Sequence, residues 1–229
     1  MMKRYVLIVA GGKGVRMGAG LPKQFIPMRG RPLLMHTLER FYRWDTSAAF
    51  IVVLPLEHHA YWEMLCREIP CTVPHRIVAG GETRFHSVKN GLALVGEPGL
   101  VAVHDGVRPF VPPEVIEACF ALAAERGTAV PVVRMTDSIR EVEPSTGKSR
   151  PADRSRYMAV QTPQVFDSRL LAKAYCQLYT PAFTDDASVV EAAGTEVCLA
   201  EGHPENIKVT TPFDLLVAEA IMNRQENGA

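Results

Sequence analysis

Short apolar runs recur along this chain, separated by stretches whose apolar residues repeat at helical spacing. Tyr5 to Val9, Phe50 to Leu54, Arg76 to Ala79, Leu100 to Val103, Thr128 to Val133 and Val197 to Ala200 are too brief for much beyond strands. Between them, Leu33, Leu34, Thr37, Leu38 and Phe41 predict a helix, as do Glu57 to Cys66 and the set Phe85, Val88, Leu92 and Val95. A further helix starts at Pro113 and turns Val115, Ile116, Cys119, Phe120 and Ala123 inward. Ser168 to Tyr179 reads as another, followed by a short one after Thr184-Asp185-Asp186. The last opens at Thr211-Pro212-Phe213-Asp214, where a hydroxyl caps, proline takes the first helical position and a carboxylate follows. Strands alternating with helices predict an α/β fold with a single Rossmann-like, mostly parallel sheet covered on both faces.

Residues 136–158, TDSIREVEPSTGKSRPADRSRYM, break this pattern. Their only substantial apolar anchors are Ile139, Val142 and Tyr157, which is too little to bury. A projecting hairpin is predicted, with Pro144-Ser145-Thr146-Gly147 at its tip.

Composition narrows the class. A chain of 229 residues with 47% hydrophobic content and no internal break suits one domain, 1–229. Twenty-five basic residues balance twenty-five acidic ones, so no nucleic-acid partner is expected and any positive potential is local. Cys66, Cys71, Cys119, Cys176 and Cys198 show no Cys-x-x-Cys spacing, which points to reduced thiols in a cytoplasmic protein rather than zinc or a disulfide framework. The basic start, Met1 to Arg4, imitates a signal peptide, but the apolar run behind it is too short and reads as a first strand. No stretch approaches a membrane span, so no membrane partner is expected.

Candidate chemistry concentrates where that first strand ends. Ala10-Gly11-Gly12-Lys13-Gly14 exposes backbone N–H groups to a ligand, and Lys13, Arg16 and Lys23 add cations suited to a triphosphate undergoing substitution. A Walker A loop would need Ser or Thr where Gly14 follows Lys13, and a dinucleotide fingerprint would need Gly at Met17. Downstream, Asp105 follows the strand Leu100 to Val103. A carboxylate there can hold Mg²⁺ against phosphate oxygens, with Arg108 taking a second phosphate. The seven histidines form no ligand set, and no Gly-x-Ser-x-Gly elbow is present.

Ala-Gly-Gly-x-Gly-x-Arg-Met-Gly followed by Pro22-Lys23-Gln24-Phe25 resembles the signature loop of polyol-phosphate cytidylyltransferases, most closely the 2-C-methyl-D-erythritol 4-phosphate cytidylyltransferase family. The likeness covers nearly the whole chain. His104-Asp105-Gly106-Val107-Arg108-Pro109 resembles that family's His-Asp-Ala-x-Arg-Pro, with Gly106 in place of alanine. Gly11 likewise stands where the family usually has alanine. Gly80-Gly81-Glu82-Thr83-Arg84 with Ser87 resembles its base-reading segment, and Asn206-Ile207-Lys208-Val209-Thr210 its Asn-Ile-Lys-Val-Thr.

The resemblance implies CTP and a polyol phosphate as substrates, with a CDP-alcohol and pyrophosphate as products. It implies catalytic roles for Arg16, Lys23, Asp105 and Lys208, and nucleotide contacts at Ala10, Gly11, Gly12, Gly14, Gly81, Glu82, Ser87 and Gly106. Acceptor binding falls to Asp105, Arg108, Ser138, Arg154, Thr162, Thr184 and Lys208, and Mg²⁺ to Asp105. It also implies a homodimer in which the 136–158 arm crosses to the second subunit. Ribitol 5-phosphate is the alternative acceptor. A non-catalytic nucleotide-binding subunit is the alternative of another class, and a dinucleotide oxidoreductase is disfavoured by the loop.

Overall fold

The computed structural model describes residues 2–11 and 21–227. In chain order the elements begin with β1 (Lys3–Val9), β2 (Pro27–Met28), β3 (Arg31–Pro32), α1 (Leu33–Trp44), β4 (Ala49–Leu54) and α2 (His59–Glu68). They continue with β5 (His75–Ala79), α3 (Arg84–Leu92), β6 (Gly99–Asp105), α4 (Pro113–Arg126) and β7 (Thr128–Arg134). The arm contributes β8 (Ile139–Val142) and β9 (Ser149–Ala152), and the chain closes with β10 (Met158–Val160), β11 (Gln164–Asp167), α5 (Ser168–Ala174), α6 (Asp186–Ala192), β12 (Leu199–Glu201) and α7 (Pro212–Asn227).

Strands β5, β4, β1 and β6 run parallel and adjacent, so their carboxyl ends meet at one edge of the sheet. Beyond β6, β11 inserts antiparallel and pairs with β7 as well, while β12 runs parallel to β7. β10 and β11 pair with opposite ends of β7, joined through a cis Thr162–Pro163 peptide.

Each central strand is apolar on both sides because each face carries its own helical layer. From β1, Val6 and Ile8 pack with Leu34, Leu38 and Phe41 of α1, Trp62 of α2 and Ile116 and Phe120 of α4. Tyr5 and Leu7 pack on the other face with Phe85 and Val88 of α3, Leu171 of α5 and Val189 and Val190 of α6. A third cluster, Met28, Leu33, Phe110, Val209, Ala218 and Ile221, seats α7 against the β2–β3 hairpin. That hairpin turns at Arg29 and Gly30, both in the left-handed region.

Most expected elements are present, including the arm, which turns at Glu143 to Lys148 and is exposed along nearly its whole length. The helix expected over Ser168 to Tyr179 is shorter, ending at Ala174. Its last turn tightens because the Gln177 side chain donates to the carbonyls of Ala174 and Val189, at 2.8 and 2.9 Å, and Leu178 swings into solvent. Val95 lies past the end of α3 but still packs on the core, and the strand expected at Val197 to Ala200 starts two residues later. β10 and β11 were not expected, being two short pieces with few apolar residues.

Candidate active site

The parallel strands bring their following turns together within hydrogen-bond reach. Ala10 N–H donates to Val53, Gly80 N–H to Leu54, and Gly106 N–H to Val9, each across to a neighbouring strand. The turn at Gly106 approaches so closely that a Cβ there would lie 2.9 Å from the Ala10 Cβ, so alanine would force a shift. At Gly11 an added Cβ would meet, among the described residues, only the Ser87 hydroxyl, at 3.7 Å, in ordinary contact. The two departures from the family pattern therefore differ: alanine at Gly106 would need its neighbours to shift, whereas at Gly11 the described residues leave room for it.

These turns enclose a cleft of about 210 Å³ whose lining includes Ala10, Gly11, Lys23, Gly81, Glu82, Arg84, Ser87, Asp105 and Lys208. On one wall, Ser87 from α3 reaches back to accept the Gly81 N–H at 3.0 Å, while Thr83 caps α3 by accepting from His86 N–H. A Cβ on Gly81 would overlap His86 at 2.4 Å, so this backbone can approach a ligand only as glycine. Glu82 is exposed at the rim, leaving the capping role to Thr83.

Opposite lies the charged centre. Asp105, the last residue of β6, is 8% exposed and faces three cations: Lys208 Nζ at 2.9 Å, Arg108 Nε at 3.3 Å and Arg84 Nε at 3.9 Å. Burial pushes its carboxyl up, but Arg84, Lys208 and Arg108 outweigh that and hold it well below the usual carboxylate range. Arg84 is fixed from behind by fully buried Asp186 at 2.6 Å, which in turn accepts from the Tyr175 hydroxyl at 2.6 Å. Burial opposes the Arg84 charge, and Asp186 and Asp105 more than restore it.

Beneath Asp105 runs a neutral relay. His104 is fully buried, and burial pushes its pKa down to about 4, so the ring is uncharged at neutral pH. Its Nε2 faces the Arg108 carbonyl at 3.0 Å, an acceptor only, so Nε2 carries the hydrogen and Nδ1 the lone pair. The Thr162 hydroxyl donates to that Nδ1 at 3.0 Å and accepts the Asp105 N–H at 3.2 Å. Asn206 locks the next layer: its side-chain amide donates to the Thr162 carbonyl at 2.8 Å, and its backbone carbonyl accepts from Arg108 Nη1 at 2.7 Å. Lys208, two residues on, is thereby aimed at Asp105.

Of the residues expected in the site, Ala10, Gly11, Lys23, Gly81, Glu82, Ser87, Asp105 and Lys208 share the cleft. Gly12, Gly14 and Arg16 lie outside the described residues. Arg108, Gly106 and Thr162 stand behind Asp105 rather than in the lining, and Thr162 is 5% exposed with both hydroxyl bonds taken inside the protein. Ser138, Arg154 and Thr184 are exposed and not among the residues that line their own chain's cleft; Arg154 donates instead to the Thr136 carbonyl. Sequence reasoning passed over Arg84, His104, Tyr175, Asp186 and Asn206. Three of these five, Arg84, His104 and Asn206, lie within the motifs that carried the resemblance, beside the residues chosen.

Asp105 Oδ1 is beyond hydrogen-bond reach of Arg84, which leaves one carboxylate oxygen able to accept a hard cation. No cluster of three metal-ligating side chains occurs among the described residues, so the donor set fits a Mg²⁺ that takes most of its ligands from a polyphosphate.

The profile of the family described as IspD, 2-C-methyl-D-erythritol 4-phosphate cytidylyltransferase, matches residues 5–224. A protein of that name from Bacteroides thetaiotaomicron is 56% identical over 221 residues, covering 96% of this chain and 100% of the relative. One from Porphyromonas gingivalis is 53% identical, covering 96% and 98%. Among solved structures, the 2-C-methyl-D-erythritol 4-phosphate cytidylyltransferase of Thermus thermophilus superposes with a TM-score of 0.79 at 33% identity, over 97% of this chain and 100% of that one. That of Francisella tularensis gives 0.77 at 28% identity, over 95% and 99%.

Proposed function

The chain belongs to the 2-C-methyl-D-erythritol 4-phosphate cytidylyltransferase family and transfers the cytidylyl group of CTP to that acceptor in isoprenoid precursor synthesis; we propose that the cleft at Asp105 is where the transfer occurs. The observation that carries this assignment is the convergence of Lys208, Arg84 and Arg108 on one buried carboxylate at the mouth of a glycine-walled cleft.

An oxygen of the acceptor phosphate attacks the α-phosphorus of CTP, the bond from that phosphorus to its bridging oxygen breaks, and pyrophosphate leaves with the electron pair. The nucleophile is already anionic, so no general base is required. The barrier lies in bringing two anions together in line. Catalysis is therefore electrostatic. Lys23 and Arg16 stabilise the α-phosphate and the departing pyrophosphate, and Lys208 neutralises the acceptor phosphate. Asp105 holds Lys208 and Arg108 extended into place before substrate arrives, so the transition state meets charges already oriented. When bound, Mg²⁺ would be held by Asp105 and phosphate oxygens and would add neutralising charge. The Gly81 backbone and Ser87 read the cytosine edge, and Ala10 and Gly11, with Gly12 and Gly14, cradle the phosphates.

The acceptor side is completed by a second copy. Arg154 does not line its own cleft and donates to the Thr136 carbonyl instead, and the exposed apolar side chains of Val142, Tyr157, Met158, Val160 and Leu199 lie on the arm and on the adjacent edge strands. Both features support a homodimer whose arms exchange Arg154 across a two-fold axis. Five free cysteines accord with a reducing cytoplasm, and no helix among the described residues is long and apolar enough to cross a membrane.

The test is pyrophosphate release from CTP and Mg²⁺ with either 2-C-methyl-D-erythritol 4-phosphate or ribitol 5-phosphate as acceptor. Turnover with the first is expected to dominate. Equal or faster turnover with ribitol 5-phosphate would overturn the acceptor assignment, and CTP binding without release would make the chain a nucleotide-binding subunit.

A further inference from the structure

A second cavity, of about 510 Å³, opens between α1 and α7, away from the charged centre at Asp105. His36, Arg40 and Arg43 reach it from one face of α1, spaced four and then three residues apart, and Arg31 reaches it from β3. Three guanidiniums face one carboxylate, Glu39, which is already shared between Arg31 and Arg43, the latter at 3.6 Å. Burial keeps the His36 ring neutral, its Nε2 bonded to the Met28 carbonyl at 2.8 Å. The lining therefore holds an excess of two positive charges in a chain with no net charge.

Arg40 sharpens the case. Its guanidinium is half-buried and held by neutral acceptors only, the Gln225 side chain at 2.8 Å and the Pro109 carbonyl at 3.4 Å, with no carboxylate in ion-pair reach among the described residues. Burial and the neighbouring Arg43 charge oppose its ionised form, and Glu114 offsets that only from beyond ion-pair distance; the backbone and amide contacts hold the guanidinium in place at that cost. Positioned forks of this kind suit the paired oxygens of phosphate groups.

We propose that this cavity is a second anion site, distinct from the catalytic cleft, that takes a diphosphate between Arg31, Arg40 and Arg43. A diphosphate rather than a monophosphate matches three separated guanidiniums and the charge excess.

The experiment is calorimetric titration of the full chain with inorganic pyrophosphate. Two pyrophosphates per chain are expected, one in each site. Arg43→Glu, whose side chain is 75% exposed, should weaken one of them at least about tenfold while leaving CTP turnover unchanged. Lys208→Ala should remove the other and spare the Arg43-dependent one. Arg40→Gln, checked for an unaltered melting temperature, should reproduce the Arg43→Glu loss. Orthophosphate should bind the Arg43-dependent site more weakly, and equal affinity would overturn the diphosphate assignment. An Arg43→Glu isotherm identical to wild type, or a single wild-type site abolished by Lys208→Ala, would overturn the site itself.

Discussion

Replacing Thr162 by valine separates two roles for this hydroxyl. The family resemblance makes it an acceptor-phosphate contact, whereas its hydrogen bonds make it the joint between His104 and the Asp105 backbone. Valine keeps the shape and removes the oxygen, leaving the Asp105 N–H and His104 Nδ1 buried without partners. Each such orphan costs about 1–3 kcal/mol, and the extra methyl recovers part of that, so a net loss of about 3 kcal/mol is expected. In a chain of 229 residues this lowers the melting temperature by roughly 6–12 °C. Released from Thr162, the Asp105 backbone drifts and takes Lys208 with it. Turnover should therefore fall while KM for the acceptor changes little, and Thr162→Ser should restore both stability and rate. Thermal and urea unfolding followed by circular dichroism, beside steady-state pyrophosphate release, supply the two readouts. A Thr162→Val protein within about 1 kcal/mol of wild type that shows a raised acceptor KM would refute the joint and reinstate direct contact.

Lys23→Ala should cut kcat about a hundredfold with little change in CTP affinity, because charge complementary to the transition state acts on the barrier; full activity with the fold intact by circular dichroism removes Lys23 from the machinery. His104 has a folded pKa of about 4 against 6.5 unfolded, so the unfolded state binds the extra proton between those values. Its contribution is thus fully present above about pH 6.5 and falls away by about 3 kcal/mol as the pH drops to about 4; urea unfolding across that window should show the slope, and His104→Gln should flatten it. Mixing Arg154→Ala chains with Lys23→Ala chains should restore roughly a quarter of wild-type activity if arms are exchanged, since random pairing in equal amounts leaves one undamaged site in each heterodimer. No recovery despite demonstrated subunit exchange would return Arg154 to its own chain's site or to none.

How much of this was legible beforehand follows from the range of the interactions involved. The strands β1, β4, β6 and β7 and the helices packed on them are written in local apolar runs and spacings, and the cap of α7 in a few consecutive residues, with Asp214 accepting the Thr210 and Thr211 N–H groups. β11 has only Val165 and Phe166 as apolar interior, and it becomes a strand because β6 and β7 offer it open edges. Nothing within the segment announces that. The site divides the same way. Residues that face the cleft fall in motifs just past strand ends, where topology alone says to look. The groups that hold them in place meet across long separations: Thr162 and His104 are 58 residues apart, and Arg84 and Asp186 are 102 apart.

A motif records that a residue type recurs, not which way its side chain points. In His104-Asp105-Gly106, a residue that faces the cleft and one that anchors it stand side by side and read alike. The alternating direction of side chains along a strand explains why. Asp105 ends β6 facing the cleft, so His104 beside it must face the interior, where only a neutral, fully bonded ring can be buried without penalty. Thr162 is the partner that makes the ring so. By that reasoning the acceptor phosphate, which can only accept, cannot claim the one Thr162 hydroxyl hydrogen in the apo arrangement without orphaning His104 Nδ1, and such a trade would cost more than one new hydrogen bond returns.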